Sequence, residues 1–292
     1  MTPDIESISN SGSNANVSPD PSANAGGDTN TDTGPRRAIE LDVTVDAPAA
    51  AVYAALTDPA QLASWFPPVA SGSSAVGGKL LISWGPALEW TTTVVTAEPN
   101  RHIRWVDDPS SPLAVDWWIE ARGGKTLVRL VHSGWSADAG WDEQYDATSA
   151  GWQYFLFNLR HYLERHRGTR RVLVSARRPT TLPRAEVWDR LLGAAGFALN
   201  ARDRSDVRED GRVLLQLGND PQRFDIAHSV EPTHLWGTLP GLSDALLFVE
   251  MEPGNPGYNC GIWLSTYGLN AERTAVLQQA LSAMAERVIP AE

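Results

Sequence analysis

The ordered part of the chain begins with a strict alternation. Ile39, Leu41, Val43 and Val45 are apolar and Glu40, Asp42 and Thr44 between them are polar, which predicts a strand with one buried and one wet face. Asp46-Ala47-Pro48 then supplies an N-cap acceptor and a first-turn proline, and Val52, Tyr53 and Leu56 give a short helix its apolar face. Asp58-Pro59 restarts the same grammar for a second short helix ending at Trp65-Phe66-Pro67-Pro68. After Gly77-Gly78 the pattern predicts five strands: Lys79 to Trp84, Leu88 to Ala97, His102 to Val106, Leu113 to Ala121 and Thr126 to His132. The breaks between them carry Gly85-Pro86, Pro99-Asn100, Pro109 with Pro112, and Gly123-Gly124, the spacing of an antiparallel meander. A helix from about Thr148 to Arg167 closes the segment, with Trp152, Phe155, Leu156, Leu159, Leu163 and His166 on one face.

The second half repeats this order more loosely. Thr181 to Leu191 matches Asp46 to Leu56 at Pro, Ala, Val and Leu, with Trp188 in place of Tyr53. Its strands are expected at Arg171 to Ala176, Val213 to Leu217, Arg223 to Ser229, His234 to Thr238, Ala245 to Glu252 and Tyr258 to Thr266. Asn270 caps a last helix with the stripe Leu277, Leu281, Met284, Val288. Near the two ends, Tyr145, Leu159, Glu164 and Arg165 align with Tyr267, Leu281, Glu286 and Arg287. Shared order and position point to a duplication whose second copy is shortened.

Composition narrows the class. In 292 residues, 42% are hydrophobic and 20% charged, and 24 Lys+Arg against 35 Asp+Glu give a net charge of -11. An acidic globular protein is disfavoured as a nucleic-acid partner, and the 22 arginines are scattered among acids. The longest apolar runs, such as Ala245 to Val249, are too short for a membrane span, and no secretion signal is evident at the N-terminus. The single cysteine, Cys260, precludes an internal disulfide and a cysteine-based metal site, so a cytoplasmic location is expected. Residues 1–35 hold five acids, no Lys or Arg and no aromatic residue, the composition of a disordered acidic tail. Two modules are expected beyond it, residues 36–168 and 169–292.

Strand parity sets the inner face of the first module. Leu113, Val115, Trp117 and Ile119 share a face, as do Val128, Leu130 and His132, and Trp152, Phe155, Leu156 and Leu159 oppose them from the helix. A helix laid across a curved sheet leaves a cavity wherever these side chains do not fill it, so this set is the candidate ligand site. Val115 and Val128, small beside Trp117 and Trp152, are expected to border the free volume. His132 is the one histidine that parity directs inward, as a hydrogen-bonding anchor or as a satisfied histidine at the sheet rim. His161 and His166, five apart, do not share a helix face, and no metal ligand set is completed. Calcium-loop, nucleophile-elbow and phosphate-loop patterns are absent, and Cys260 reads as a buried apolar residue. No cofactor is implied. Tyr154, Phe157 and His161 form a second helix stripe, and Trp118 points to the outer sheet face; aromatics of that size call for cover, which the second module is placed to give.

Strand, two short helices, a strand meander and a long C-terminal helix resemble the helix-grip arrangement of the START-like (SRPBCC) superfamily, an α+β fold with an antiparallel sheet wrapped around the last helix, here in two tandem copies. The first module is similar to the branch named for an activator of a heat-shock-protein ATPase. Val45-Asp46-Ala47-Pro48, Val52 to Pro59 and Trp65 carry the match, with Gly77-Gly78, Pro99 before Ile103-Arg104-Trp105, Thr126, Val128, Leu130, His132 and Gly134, and Gly151-Trp152. The second module lacks the second short helix with its Trp and the Gly-Trp start of the last helix. The cavity points to binding of a small apolar or amphipathic ligand, without catalysis since only His132 could serve as an acid/base group there; the alternatives are a chaperone-regulating interaction module, as the family name implies, and a cyclase or hydratase.

Overall fold

A computed structural model describes residues 34–290 apart from 87, 108–109, 219 and 255–256. The expected tail lies outside the described residues but for positions 34 and 35. Strand β1 (Arg36–Val45) follows the predicted alternation and leads into α1 (Ala49–Thr57) and α2 (Pro59–Leu62). Asp58 caps α2 as expected, its Oδ1 accepting from the backbone N–H of Ala60 at 2.8 Å. Helix α1 departs from expectation, since its cap position is Pro48 with no side-chain hydrogen bond. The backbone N–H of Asp46 instead donates to Glu164 Oε1 at 2.9 Å, tying the start of the module to its end.

Strands β2 (Val69–Gly72), β3 (Lys79–Ser83), β4 (Glu89–Glu98), β5 (His102–Val106), β6 (Ala114–Arg122) and β7 (Lys125–Ser136) complete the first half's sheet. The order is β1-β7-β6-β5-β4-β3-β2 with antiparallel neighbours throughout. Helix α3 (Asp142–His161) crosses it, starting six residues before the expected Thr148 and ending in a π turn over Tyr162–His166. That turn overturns the expectation for its histidines. A π turn sets residues five apart on one face, and the His161 and His166 rings lie 4.9 Å apart, both bonded to the Asp244 carbonyl, at 2.7 and 3.2 Å.

The second half follows the same order with six strands in place of seven: β8 (Arg171–Thr180), α4 (Arg184–Leu192), α5 (Ala201–Ser205), β9 (Arg212–Leu217), β10 (Asp220–Val230), β11 (His234–Leu239), β12 (Ala245–Pro253), β13 (Tyr258–Tyr267) and α6 (Ala271–Val288). Contrary to expectation, α5 is a second short helix, though it carries no Trp. Its sheet runs β8-β13-β12-β11-β10-β9, again pairing the first strand with the last. Asn270 Oδ1 caps α6 through the N–H of Arg273 at 2.8 Å, as its sequence position predicts. β1 and β8, and likewise α1 and α4, stand at the same separation in sequence, which supports duplication. The pairing of Tyr145 with Tyr267 does not hold: Tyr145 lies in a helix and Tyr267 ends a strand. The fold is therefore α+β, two antiparallel sheets each carrying a long C-terminal helix.

Helix α3 is buried on two sides. Trp152, Phe155 and Leu159 enter the core of the first sheet, and that same apolar cluster takes in Trp236, Leu246, Phe248 and Tyr267 from the second half. The Tyr154 ring stacks on Phe248 at 3.9 Å, and the Tyr267 hydroxyl donates to the Ser64 carbonyl at 2.9 Å. The stripe of Tyr154 and His161 is thus covered by the second half, as expected, with Phe157 packed partly buried against the same cluster. Trp118 is not: it stays 48% exposed and stacks at 3.8 Å on His102, whose Nε2 is hydrogen-bonded to Asp116 Oδ1 at 2.7 Å.

Candidate functional site

Between α3 and the first sheet lies a cavity of about 20 Å³, walled by Phe66, Trp90, Trp105, Trp152 and Phe155 and by Val115 and His132. Room on that scale is enough for about one water. Of the eleven residues placed on the inner face by strand parity and helix period, Val115, His132, Trp152 and Phe155 line this cavity, and Leu113 packs partly buried against the core. Trp117, Ile119, Val128, Leu130, Leu156 and Leu159 are buried packing residues away from it. Trp117 explains much of this, because its fully buried indole packs edge-on against Trp65, Trp105 and Trp152 and fills the middle of the groove. Ile82, Trp90, Thr92, Trp105 and Phe66 add to the lining from β3, β4, β5 and the segment after α2, with Asp107 after β5 and Thr148 from α3; parity within single strands could not find the strand residues, since it does not say how far along its neighbour each strand sits.

The chemistry of the cavity centres on His132. Its side chain is almost fully buried, and Nδ1 accepts a hydrogen bond from Trp152 Nε1 at 3.0 Å. The proton of the neutral ring therefore sits on Nε2. Burial drives the pKa down to about 3, so the ring stays neutral across the physiological range. Nε2 has no hydrogen-bond partner in the protein, and the same is true of Thr92 Oγ1, Trp105 Nε1 and Thr148 Oγ1, all from residues lining the same small space. Each such buried group costs about 1–3 kcal/mol when unsatisfied.

Two further spaces lie beyond this one in succession. The first, about 30 Å³, lies between the halves and is lined by Phe66, Trp84, Gly151, Tyr154, Phe155, Arg171, Leu173, Phe248, Glu250 and Trp263. Phe66 and Phe155 are walls common to it and the His132 cavity. The second, an open cleft of about 510 Å³ between α3 and β12, shares Gly151, Phe248 and Glu250 with it. Burial and the neighbouring Glu252 hold the Glu250 carboxyl well above the usual range, while its Oε1 accepts from Trp263 Nε1 at 2.6 Å.

Elsewhere, no group of three or more His, Cys, Asp or Glu able to hold a metal occurs among the described residues. Cys260 is buried in β13 with its thiol pushed up to about 12, chiefly by desolvation. No described helix is long and apolar enough to cross a membrane.

A closed aromatic interior gripped between a long helix and an antiparallel sheet places the first half in the helix-grip class. Residues 46–164 match the family described as Activator of Hsp90 ATPase homolog 1-like protein. Among solved structures, the Aha1 dimer of Colwellia psychrerythraea is 23% identical over 45% of this chain and 99% of its own, with a TM-score of 0.40. DynU16 of the dynemicin biosynthetic locus is 20% identical over 86% and 96%, TM-score 0.39. The di-domain ARO/CYC BexL of the BE-7585A pathway is 18% identical over 86% and 91%, TM-score 0.41. None of the curated proteins matches this chain.

Proposed function

We propose that the chain divides into a ligand-binding unit, residues 36–168, and a second unit, residues 169–292, packed on its helix, and that the first unit binds a small, mainly apolar ligand carrying oxygen acceptors. One observation carries this reading: four unpartnered polar atoms, two of them N–H donors, belong to residues that line one aromatic-walled space. A carbonyl or ether oxygen accepts from His132 Nε2 and Trp105 Nε1, and the rings around it supply flat apolar contact. With a pKa near 3, His132 serves as an anchor and not as a proton shuttle at neutral pH. A ligand larger than one water requires the Phe66–Phe155 wall to swing aside, which joins the His132 cavity to the space between the halves.

The test uses 2-acetonaphthone and 2-ethylnaphthalene, near-isosteres that differ in the carbonyl, titrated into the full chain by calorimetry. The wild type is expected to prefer the ketone, Phe155→Ala to bind both more tightly, and His132→Leu to lose the preference. Failure of both the wild type and Phe155→Ala to take up either probe overturns the reading.

A chaperone-docking role is favoured by Trp118 alone, which stands exposed on the outer sheet face with Arg101, Arg122 and Arg129 around a concave surface. Cross-linking of the wild type, but not of Trp118→Ala, to a purified Hsp90 would support it.

A further inference from the structure

Arg171 opens β8 at the junction of the two halves and is 7% exposed. Both of its hydrogen bonds come from Nη2, to the carbonyls of Phe66 at 3.2 Å and Pro67 at 2.6 Å. Among the described residues no carboxylate lies within ion-pair distance of it. Its electrostatic neighbours are the Tyr267 and Tyr154 phenols, and burial pulls its pKa down from the ordinary arginine value. A guanidinium stays protonated in proteins, so a full positive charge sits inside with only neutral partners. Leaving such a charge uncompensated is strongly unfavourable. The bonds to Phe66 and Pro67 occupy one nitrogen of three and would be made equally by an uncharged donor; Nε and Nη1 keep some solvent contact, and the residue lines the space between the halves.

We propose that the space between the halves is a binding site for a small organic acid, its carboxylate set against Arg171 and its apolar body in the adjoining cleft. The inner space of about 30 Å³ admits a carboxylate-sized group and not a ring. The cleft of about 510 Å³ that meets it at Gly151, Phe248 and Glu250 is of ligand size and offers Ala147, Ala150 and Met251 as apolar contacts. Of the four acidic residues that line these spaces, Asp146 borders only the open cleft and not the inner space beside Arg171. Glu250 holds its proton well above the usual carboxylate range, Glu252 is engaged by Arg177 Nε at 2.7 Å, and Glu143 lies 3.6 Å from Arg184. In the structure the Phe66 and Phe155 rings wall this site off from the His132 cavity, and the argument for it does not rest on the ketone-binding reading.

The experiment titrates 2-naphthoate and its neutral isostere 2-naphthamide into the full chain by calorimetry. The wild type is expected to bind naphthoate about tenfold more tightly, a difference of roughly 1.4 kcal/mol. Arg171→Lys should keep most of that preference, Arg171→Met should lose it, and His132→Leu should leave it unchanged, so that failure here and failure of the interior site are told apart. Equal binding of the two compounds, no naphthoate binding, or a preference that survives Arg171→Met overturns the proposal. Should Arg171→Met not fold, Ala150→Trp, which fills the cleft from the helix surface, must abolish naphthoate binding, and retention of binding is equally fatal.

Discussion

The indole N–H of Trp152 points at Nδ1 of His132, 3.0 Å away, and so decides which nitrogen of the imidazole carries the proton. One contact between a helix and a strand thus turns a buried histidine into a fixed donor facing the cavity.

That arrangement has a cost in acid. The folded pKa of His132 is depressed to about 3 from 6.5, so below pH 6.5 the unfolded chain takes up a proton that the folded chain refuses. Its contribution favours unfolding increasingly as pH falls from about 6.5 toward 3, by about 1.4 kcal/mol per pH unit. His161 and His234, both lowered to about 4 mainly by burial, act in the same direction. Urea unfolding between pH 4.5 and 7 is expected to show stability falling with pH, with a slope about one proton smaller in His132→Asn. An unchanged slope would mean that His132 is solvated.

Glu250 has the opposite sign. Its folded pKa is raised, so the folded chain keeps a proton that the unfolded chain releases as pH rises above about 4.5, and stability is lost over the interval up to the folded pKa. Glu250→Gln, which retains an acceptor for Trp263, is expected to melt higher than the wild type at pH 8 and at the same temperature near pH 4. Scanning calorimetry at the two pH values decides it.

The interface between the halves has a dominant ring pair. Phe248→Ala removes a side chain only 6% exposed from against Tyr154 and is expected to cost about 3–5 kcal/mol. A double-mutant cycle with Tyr154→Ala should return a coupling of about 0.5–1.5 kcal/mol for the stack. A coupling near zero would show that the rings meet without mutual stabilisation.

Val128 is fully buried and does not border the cavity, unlike the expectation from its size. Val128→Trp therefore overpacks a filled core and is expected to cost about 1–3 kcal/mol or more. A denaturation midpoint equal to that of the wild type would reveal free space beside it.

Most strands were legible because each sheet keeps one face buried, which writes period two into the sequence. Strand β2, only Val69–Gly72 at the sheet edge, is too short to leave such a signal. The first six residues of α3, Asp142 to Ala147, include three acids and a single large ring, Tyr145, and so carry no apolar stripe; Asp142 and Glu143 in the first turn are the available sign, through their favourable interaction with the helix dipole. The cavity was half legible. His132 and Val115 follow from parity and Trp152 and Phe155 from helix period, but Trp90, Thr92 and Trp105 reach it only through the registers of β3, β4 and β5, including the irregularity between Val94 and Thr96. Arg171 could not be singled out, because nothing local distinguishes it among 22 arginines; only burial does.

Tyr154 and Phe155 are consecutive residues on α3 that face different halves, one stacked on Phe248 and the other walling the His132 cavity. A rigid helix turn joins them, so a ligand that displaces Phe155 must either rotate its side chain alone or move the turn and strain the stack on the second sheet. In the second case occupancy of the interior and packing of the halves share one free energy, and any compound bound between the halves alters affinity for the interior by the same factor that the interior ligand alters its own.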